Sequence, residues 1–314
     1  MSTTVNYQNA KLKWFHVFSD RNGYNVIFNL DHHPDDLVYG YGSNYWYKLG
    51  LGHTDPVETP VLIDDLCNRN IHKLLVEDYY TVAIGGPDGQ DYSVVLMWGR
   101  FDRILHPGFE PTDDDFIKRP RVLEFPFKVQ KISLAIQHAL ILSTTGKIYA
   151  IGTNQHGQLG SASIANNENN NHIKMHMLVK VDIPEPIMDI YCCDWSSYAL
   201  TRTGRVYSWG RNYNYHLGHQ HSDDVYIPKL IDGLANIQIQ SIRLADRKAH
   251  FLTTRGQLYY CGELSTTVAN GADHTFQIQP ILLDNLPPGK ILAIENLSTY
   301  YHKVDTNTIL IVIN

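Results

Sequence analysis

The chain has 314 residues, 43% hydrophobic and 18% charged, with Lys+Arg 26 against Asp+Glu 32 and a net charge of −6. That apolar share excludes a disordered chain, and the acidic balance argues against direct binding of nucleic acid or an anionic membrane by the whole protein. No apolar run behind the start MSTTVNYQNAKLKWF resembles a secretory leader, and no stretch approaches the roughly 18 apolar residues of a membrane helix. Cys67, Cys192, Cys193 and Cys261 have no CxxC spacing and read as reduced thiols, which points to the cytoplasm, with the nucleus as a second option.

In chain order, residues 1–12 read as an N-terminal extension and 13–314 as a single repeat domain. Residues 14–30 supply a hairpin that leads into Leu37-Val-Tyr-Gly-Tyr-Gly42, a strand ending in glycine. Equivalent strands are Val94-Val-Leu-Met-Trp-Gly99, Lys147-Ile-Tyr-Ala-Ile-Gly152, Arg205-Val-Tyr-Ser-Trp-Gly210 and Gln257-Leu-Tyr-Tyr-Cys-Gly262. The terminal glycines lie 57, 53, 58 and 52 residues apart. A near-constant step of this size is the signature of a repeat architecture.

Further offsets follow the same frame. Asn44, Asn154 and Asn212 stand two residues after Gly42, Gly152 and Gly210. Leu49, Leu159 and Leu217, each followed by Gly, come next as expected anchors of a sharp turn that Asn and Gly permit by tolerating positive φ. Pro60, Pro120, Pro228 and Pro280 are expected to begin the next apolar strand, where a missing N–H does least harm. Upstream of the later glycines lie strand pairs joined by Thr145-Gly146, Thr203-Gly204 and Arg255-Gly256. Each unit therefore predicts four short strands, the content of a propeller blade. Residues 290–314 hold a sixth hairpin, with His302 at the start of its second strand. The expectation is an all-β propeller of about six blades, five complete and one partial, or an incomplete seven-bladed ring.

The strings YSWGRN (207–212), IGTNQHGQLG (151–160) and YGSNYWYKLGLGH (41–53) resemble the repeat of the regulator of chromosome condensation family over nearly the whole chain. The resemblance implies a β-propeller, seven-bladed in the best-known members. PVLIDDLCNRNIHKL (60–74) is similar to members that carry a BTB domain after the repeats, and the expected reading is a repeat chain without that domain. The copies ending at Gly99 and Gly262 depart most from the pattern after the glycine, and the third copy carries a polar insertion, residues 164–172. That insertion reads as a solvated loop, with a partner-contacting loop as its alternative.

Catalytic signals are absent: no GxSxG, HExxH, GxxxxGK[ST] or GxGxxG occurs. Neither a cofactor nor a metal is expected. The best metal candidate, His216, His219 and His221 with Asp223 and Asp224, sits in a repeat turn and reads as ordinary turn imidazoles, as do His32 and His33. His138, His250 and His302 read as structural imidazoles at one shared repeat position. The candidate protein-binding residues are Tyr45, Trp46, Tyr47, Tyr213 and Tyr215, aromatic types enriched in interface hot spots, and the acidic run Asp113, Asp114 and Asp115. The alternative for the aromatics is packing between blades.

The expected function is a non-enzymatic interaction scaffold or adaptor that binds a partner protein through loops on one face. By resemblance, that partner is a small GTPase or a ubiquitin-ligase component. The second reading is guanine-nucleotide exchange on a small GTPase, the activity of the founding member. A third, a propeller hydrolase or lyase, finds no supporting motif.

Overall fold

The computed structural model describes residues 11–30, 36–77, 79–86, 94–100, 116–135, 138–161, 178–245, 247–264, 275–283, 291–296 and 309–313. The chain divides into two compact units, the first holding two blades and the second the rest. The first blade is the antiparallel sheet β1 (Leu12–Asp20), β2 (Gly23–Leu30), β3 (Val38–Gly42) and β4 (Val57–Leu62). The second is β5 (Lys73–Val76), β6 (Tyr80–Gly85), β7 (Val94–Arg100) and β8 (Phe116–Leu123).

In the second unit the third blade is β9 (Val129–Leu134), β10 (His138–Ser143), β11 (Ile148–Gly152) and β12 (Val179–Val181). The fourth comprises β13 (Ile187–Cys193), β14 (Ser196–Thr201), β15 (Val206–Gly210) and β16 (Val225–Leu230). The fifth comprises β17 (Ile239–Ala245), β18 (Lys248–Thr253), β19 (Leu258–Leu264) and β20 (Thr275–Leu282). A two-stranded sheet of β21 (Ile291–Asn296) and β22 (Ile309–Ile313) follows. The protein is thus an all-β propeller fold, with five four-stranded blades in sequence order among the described residues.

Hydrophobic burial drives each blade together. β6, β10 and β14 are buried at every residue, because a second strand is paired on both edges and covered on both faces. Ile27, Leu49, Ile63, Leu66 and Trp98 form the core of the first unit. Leu140, Leu159, Tyr198, Trp209, Leu217 and Phe251 lie in that of the second. Leu49, Leu159 and Leu217 plug their loops into these cores, each contributing about 2 kcal/mol by removal from water.

The strand-end glycines are required by backbone proximity. Gly99 has φ +112, and a Cβ on it would lie 2.6 Å from the Tyr79 carbonyl oxygen. That carbonyl accepts the Arg100 N–H at 2.7 Å, closing the edge of the blade. The same closure joins Ser43 to Tyr24, Arg211 to Trp195 and Glu263 to Arg247.

Four local expectations need correction. The prolines do not begin the fourth strands; they lie within them. Pro60 sits where Gly40 pairs with Val61 but Gly42 pairs with Val57, so it occupies a bulge. Pro120, Pro228 and Pro280 fall in matching register shifts. These strands are sheet edges, and a bulge is where a residue without an N–H removes least pairing.

The repeat asparagines act chiefly through their side chains. Only Asn44 among them has positive φ, at 52. Asn44, Asn154 and Asn212 instead accept the N–H of Leu49, Leu159 and Leu217 at 3.0, 2.8 and 3.1 Å. Asn44 and Asn212 also donate to the carbonyls of His53 and His221 at 2.7 and 2.6 Å. One buried amide thereby ties the loop at two points.

His138 and His250 do not share a repeat position. His138 pairs with Gly152, whereas the partner of Gly262 is Lys248, so His250 lies two residues further along its strand. Finally, β21 pairs directly with β22, with the bulge near its start seen also in the β17–β18 pair. Residues 309–313 therefore hold the second-strand place assigned to His302, which lies outside the described residues.

Candidate interaction surface

In the first and fourth blades the turn between the first and second strands and the loop after the third strand lie at one edge, beside the strand-end glycine. Loop backbone geometry there is repeated. The fifth residue after that glycine is left-handed in three blades: Tyr47 at φ 59, Gly157 at φ 79 and Tyr215 at φ 57. Such a conformation costs a bulky residue about 1 kcal/mol or more, so the tyrosines need compensation. Tyr47 packs on Phe116 with ring centroids 5.2 Å apart, and Tyr215 on Phe276 at 5.5 Å. In the third blade the exchange is reversed. Tyr226 of the fourth blade fills the space, and a Cβ on Gly157 would lie 2.6 Å from Tyr226 Cα. Tyr47 and Tyr215 therefore join neighbouring blades.

Tyr45 and Trp46 take a different place. Their rings stack at 4.8 Å, and Trp46 stacks on Tyr79 of the second blade at 5.0 Å. Two guanidinium carbons lie over the Trp46 ring, Arg21 at 4.9 Å and Arg100 at 5.4 Å, and Arg100 also covers Tyr79 at 5.6 Å. Lys118 lies 5.8 Å from the Tyr47 ring. In the second unit, Arg211 sits 4.7 Å over Trp195 and 4.2 Å over Tyr213, which is 45% exposed. The third-blade loop sends His156 against Trp195 at 5.8 Å, as Trp46 meets Tyr79. His156 Nδ1 lies 2.7 Å from Asp224 Oδ2.

Sequence reasoning passed over Arg21, Tyr79, Arg100, Trp195 and Arg211. A signal was present, since Arg100 and Arg211 each directly follow a strand-end glycine. Their aromatic partners, Tyr79 and Trp195, precede the second strand and become neighbours only through its pairing with the third. Asp113, Asp114 and Asp115, the insertion 164–172, and His32 and His33 lie outside the described residues.

His216 and His219 each meet a serine hydroxyl. His216 Nε2 lies 2.6 Å from Ser196 Oγ, and His219 Nε2 lies 3.0 Å from Ser208 Oγ. His221 Nε2 lies 3.3 Å from Lys229 Nζ. Among the described residues, no three His, Cys, Asp or Glu side chains converge as a metal would require. His138 Nε2 reaches Ser197 Oγ of the next blade at 2.8 Å, and burial pushes its pKa down to about 3. Burial, followed by the charge of Lys229, takes His219 to about 4, and burial, followed by Lys248, takes His250 to about 4. These imidazoles are neutral near pH 7; His138 and His219 hydrogen-bond serine hydroxyls in the core, and His250 stacks on Tyr260 at 6.3 Å.

Comparison with known proteins agrees with this construction. Profiles of the "Regulator of chromosome condensation (RCC1) repeat" match residues 203–247 and 189–215. The human E3 ubiquitin-protein ligase HERC2 is 26% identical over 269 residues, 83% of this chain but 5% of HERC2. Protein pim1 of Schizosaccharomyces pombe is 24% identical over 294 residues, covering 87% of this chain and 50% of pim1. The chain therefore spans half or less of these relatives. Among solved structures, Prp20p of Saccharomyces cerevisiae, studied for its binding to Gsp1p and histones, superposes with a TM-score of 0.67 at 19% identity. That match covers 92% of this chain and 68% of Prp20p. Human WBSCR16 gives a TM-score of 0.67 at 19% identity, with 83% and 69% covered. With its blade order, its glycine-closed edges and its asparagine-tied loops, the chain resembles the regulator of chromosome condensation repeat family, whose repeat profiles match it within residues 189–247.

Proposed function

We propose that this chain is a non-enzymatic adaptor that binds a partner protein through the loop edge of its blades, and that residues 13–314 act as one repeat domain. One observation carries the reading. The repeat glycines, asparagines, leucines and prolines serve the architecture, and His138, His216 and His219 are engaged by serine hydroxyls. What remains at the loop edge is a set of aromatic and basic side chains, the composition of a recognition surface. A ubiquitin-ligase component is the partner class favoured by the similarity to HERC2, and the cytoplasm, with the nucleus second, is the expected setting. The test is affinity purification of tagged protein from the source cells, read by mass spectrometry. Wild type should enrich a discrete partner that the Trp46→Ala, Tyr213→Ala double variant loses while its thermal melt is unchanged. Capture unaffected by these substitutions would place recognition elsewhere.

The fold similarity to Prp20p supports a second reading, nucleotide exchange on a small GTPase. Purified chain should then accelerate release of labelled GDP from a member of a GTPase panel; release at the intrinsic rate from every member sinks it.

A further inference from the structure

Arg211 and Glu263 hold the same place in neighbouring blades. Each directly follows a strand-end glycine, and each N–H is accepted by the carbonyl of the residue before the second strand, Trp195 in the fourth blade and Arg247 in the fifth. In the fifth blade the two side chains at these places form an ion pair, Arg247 to Glu263 at 3.0 Å. In the fourth blade an indole and an arginine occupy them. The Arg211 guanidinium lies 4.7 Å over the Trp195 ring and 4.2 Å over that of Tyr213. Among the described residues it makes no ion pair and no side-chain hydrogen bond. Asp224 comes close, but its oxygens are engaged elsewhere: one accepts the Asn212 N–H at 3.2 Å and the other lies 2.7 Å from His156 Nδ1. Stacking fixes the guanidinium plane and leaves its N–H donors at the edge, where a carboxylate meets them in pairs. Trp, Tyr and Arg are also the residue types most enriched among interface hot spots, and here all three are stacked together.

We infer that Arg211, held on Trp195 and Tyr213, receives a single carboxylate from a partner segment whose remaining charges are basic. The inference rests on the adaptor reading and gives its partner a chemistry. The fifth blade supplies its own arginine with a carboxylate, and the partner supplies the one that the fourth blade lacks. The rest of the segment is set by charge. Asp223, next to Asp224 in the chain, has a side chain 89% exposed, and the net charge is −6. Both repel a segment with several carboxylates and attract lysines or arginines beside the one that Arg211 takes.

The test uses the whole chain as bait for a displayed library of random short peptides, with the Arg211→Gln chain for counter-selection. Enriched peptides should carry one Asp or Glu among neutral and basic residues. Synthetic copies are then measured by fluorescence anisotropy. Replacing their carboxylate residue by Gln should weaken binding to wild type about tenfold but to Arg211→Gln less than about twofold, the signature of a coupled pair. Lys180→Gln, which removes the same unit charge from β12, should change affinity less than about twofold. Thermal melts check the folding of each variant. Arg211→Lys, which keeps the charge without the paired donors, serves if Arg211→Gln melts early and should lose about fivefold. Enrichment of peptides with several carboxylates or with none, equal binding by wild type and Arg211→Gln, tighter binding when phosphoserine replaces the carboxylate residue, or a library that yields no binder overturns the inference. Should a partner captured from cells depend on Tyr213 while no carboxylate couples to Arg211, the adaptor reading stands and this one falls.

Discussion

The loop after β3 and the loop after β11 share a framework and fill it in opposite ways. In both, an asparagine side chain accepts a leucine N–H and the fifth residue after the strand-end glycine is left-handed. The first loop places Trp46, Tyr47 and Lys48 at positions four to six; the other places His156, Gly157 and Gln158. Tyr47 bears backbone strain and packs outward on Phe116. Gly157 avoids the strain and leaves its space to Tyr226. The buried sixth residue shows the same freedom: Lys48 donates to the Glu77 carbonyl, whereas the Gln158 side chain bonds Thr153 and the His156 N–H. In both loops the carbonyl of that residue accepts a tryptophan N–H from the next blade, Trp98 at 2.8 Å and Trp209 at 2.9 Å. The backbone carries the architecture, so side chains at the loop edge can change for recognition.

The sharpest way to break this comparison is Gly157→Ala. Its Cβ would strike the Tyr226 backbone in a strained conformation, and we expect a loss of more than about 3 kcal/mol by chemical denaturation. A loss under about 1 kcal/mol would show that the two loops are interchangeable. Next in size is the asparagine tie. Asn44 is fully buried and bonds at both ends, so Asn44→Ala should cost about 2–3 kcal/mol, leaving the Leu49 N–H and His53 carbonyl without it. Asn154 is half-buried and bonds Leu159, so Asn154→Ala should cost about 1 kcal/mol. Equal losses would contradict a tie that differs between the blades.

The comparison can also be sharpened by the acid response. At the position paired with the strand-end glycine, the first blade has Asn25 and the third has His138. The His138 pKa falls from 6.5 in the unfolded chain to about 3, so the unfolded state binds the extra proton between those values. Stability due to His138 is full above pH 6.5 and declines as pH falls, by about 1.4 kcal/mol per pH unit. His219 and His250 add to this in the second unit, while the lowered pKa of the partly buried His16 gives the first a shallower response. Hydrogen exchange at pH 5 should open the second unit before the first, and His138→Asn should flatten the pH dependence. A response equal in both units would refute the assignment.

Much of the architecture was readable in advance because it is enforced locally. A glycine beside a neighbouring carbonyl has no substitute, so Gly42, Gly99, Gly210 and Gly262 marked out the blades, with Gly152 at the same place and likewise at positive φ. A buried leucine after a tied turn likewise leaves a fixed spacing. The misplaced prolines and the misaligned His250 show where this reading ends. Spacing along the chain does not report the bulges that take the prolines inside their strands, whereas the offset of His250, 12 residues before Gly262 where His138 stands 14 before Gly152, was present in the spacing and passed over. The candidate surface was read in part, through Trp46 and Tyr213. The arginines went unnoticed because Arg21, Arg100 and Arg211 meet Trp46, Tyr79 and Trp195 across strands or blades, although Arg211 also covers Tyr213 two residues on.

The order and number of complete blades, their closing glycines and their anchoring leucines follow from linear periodicity, since each depends on contacts a few residues away. Which ring of the next blade each aromatic meets, and which aromatic lies beneath a guanidinium, was decided by packing. Tyr47 and Trp46 are adjacent in the chain and alike in chemistry, and only the position of Phe116 and Tyr79 in the next blade separates their roles.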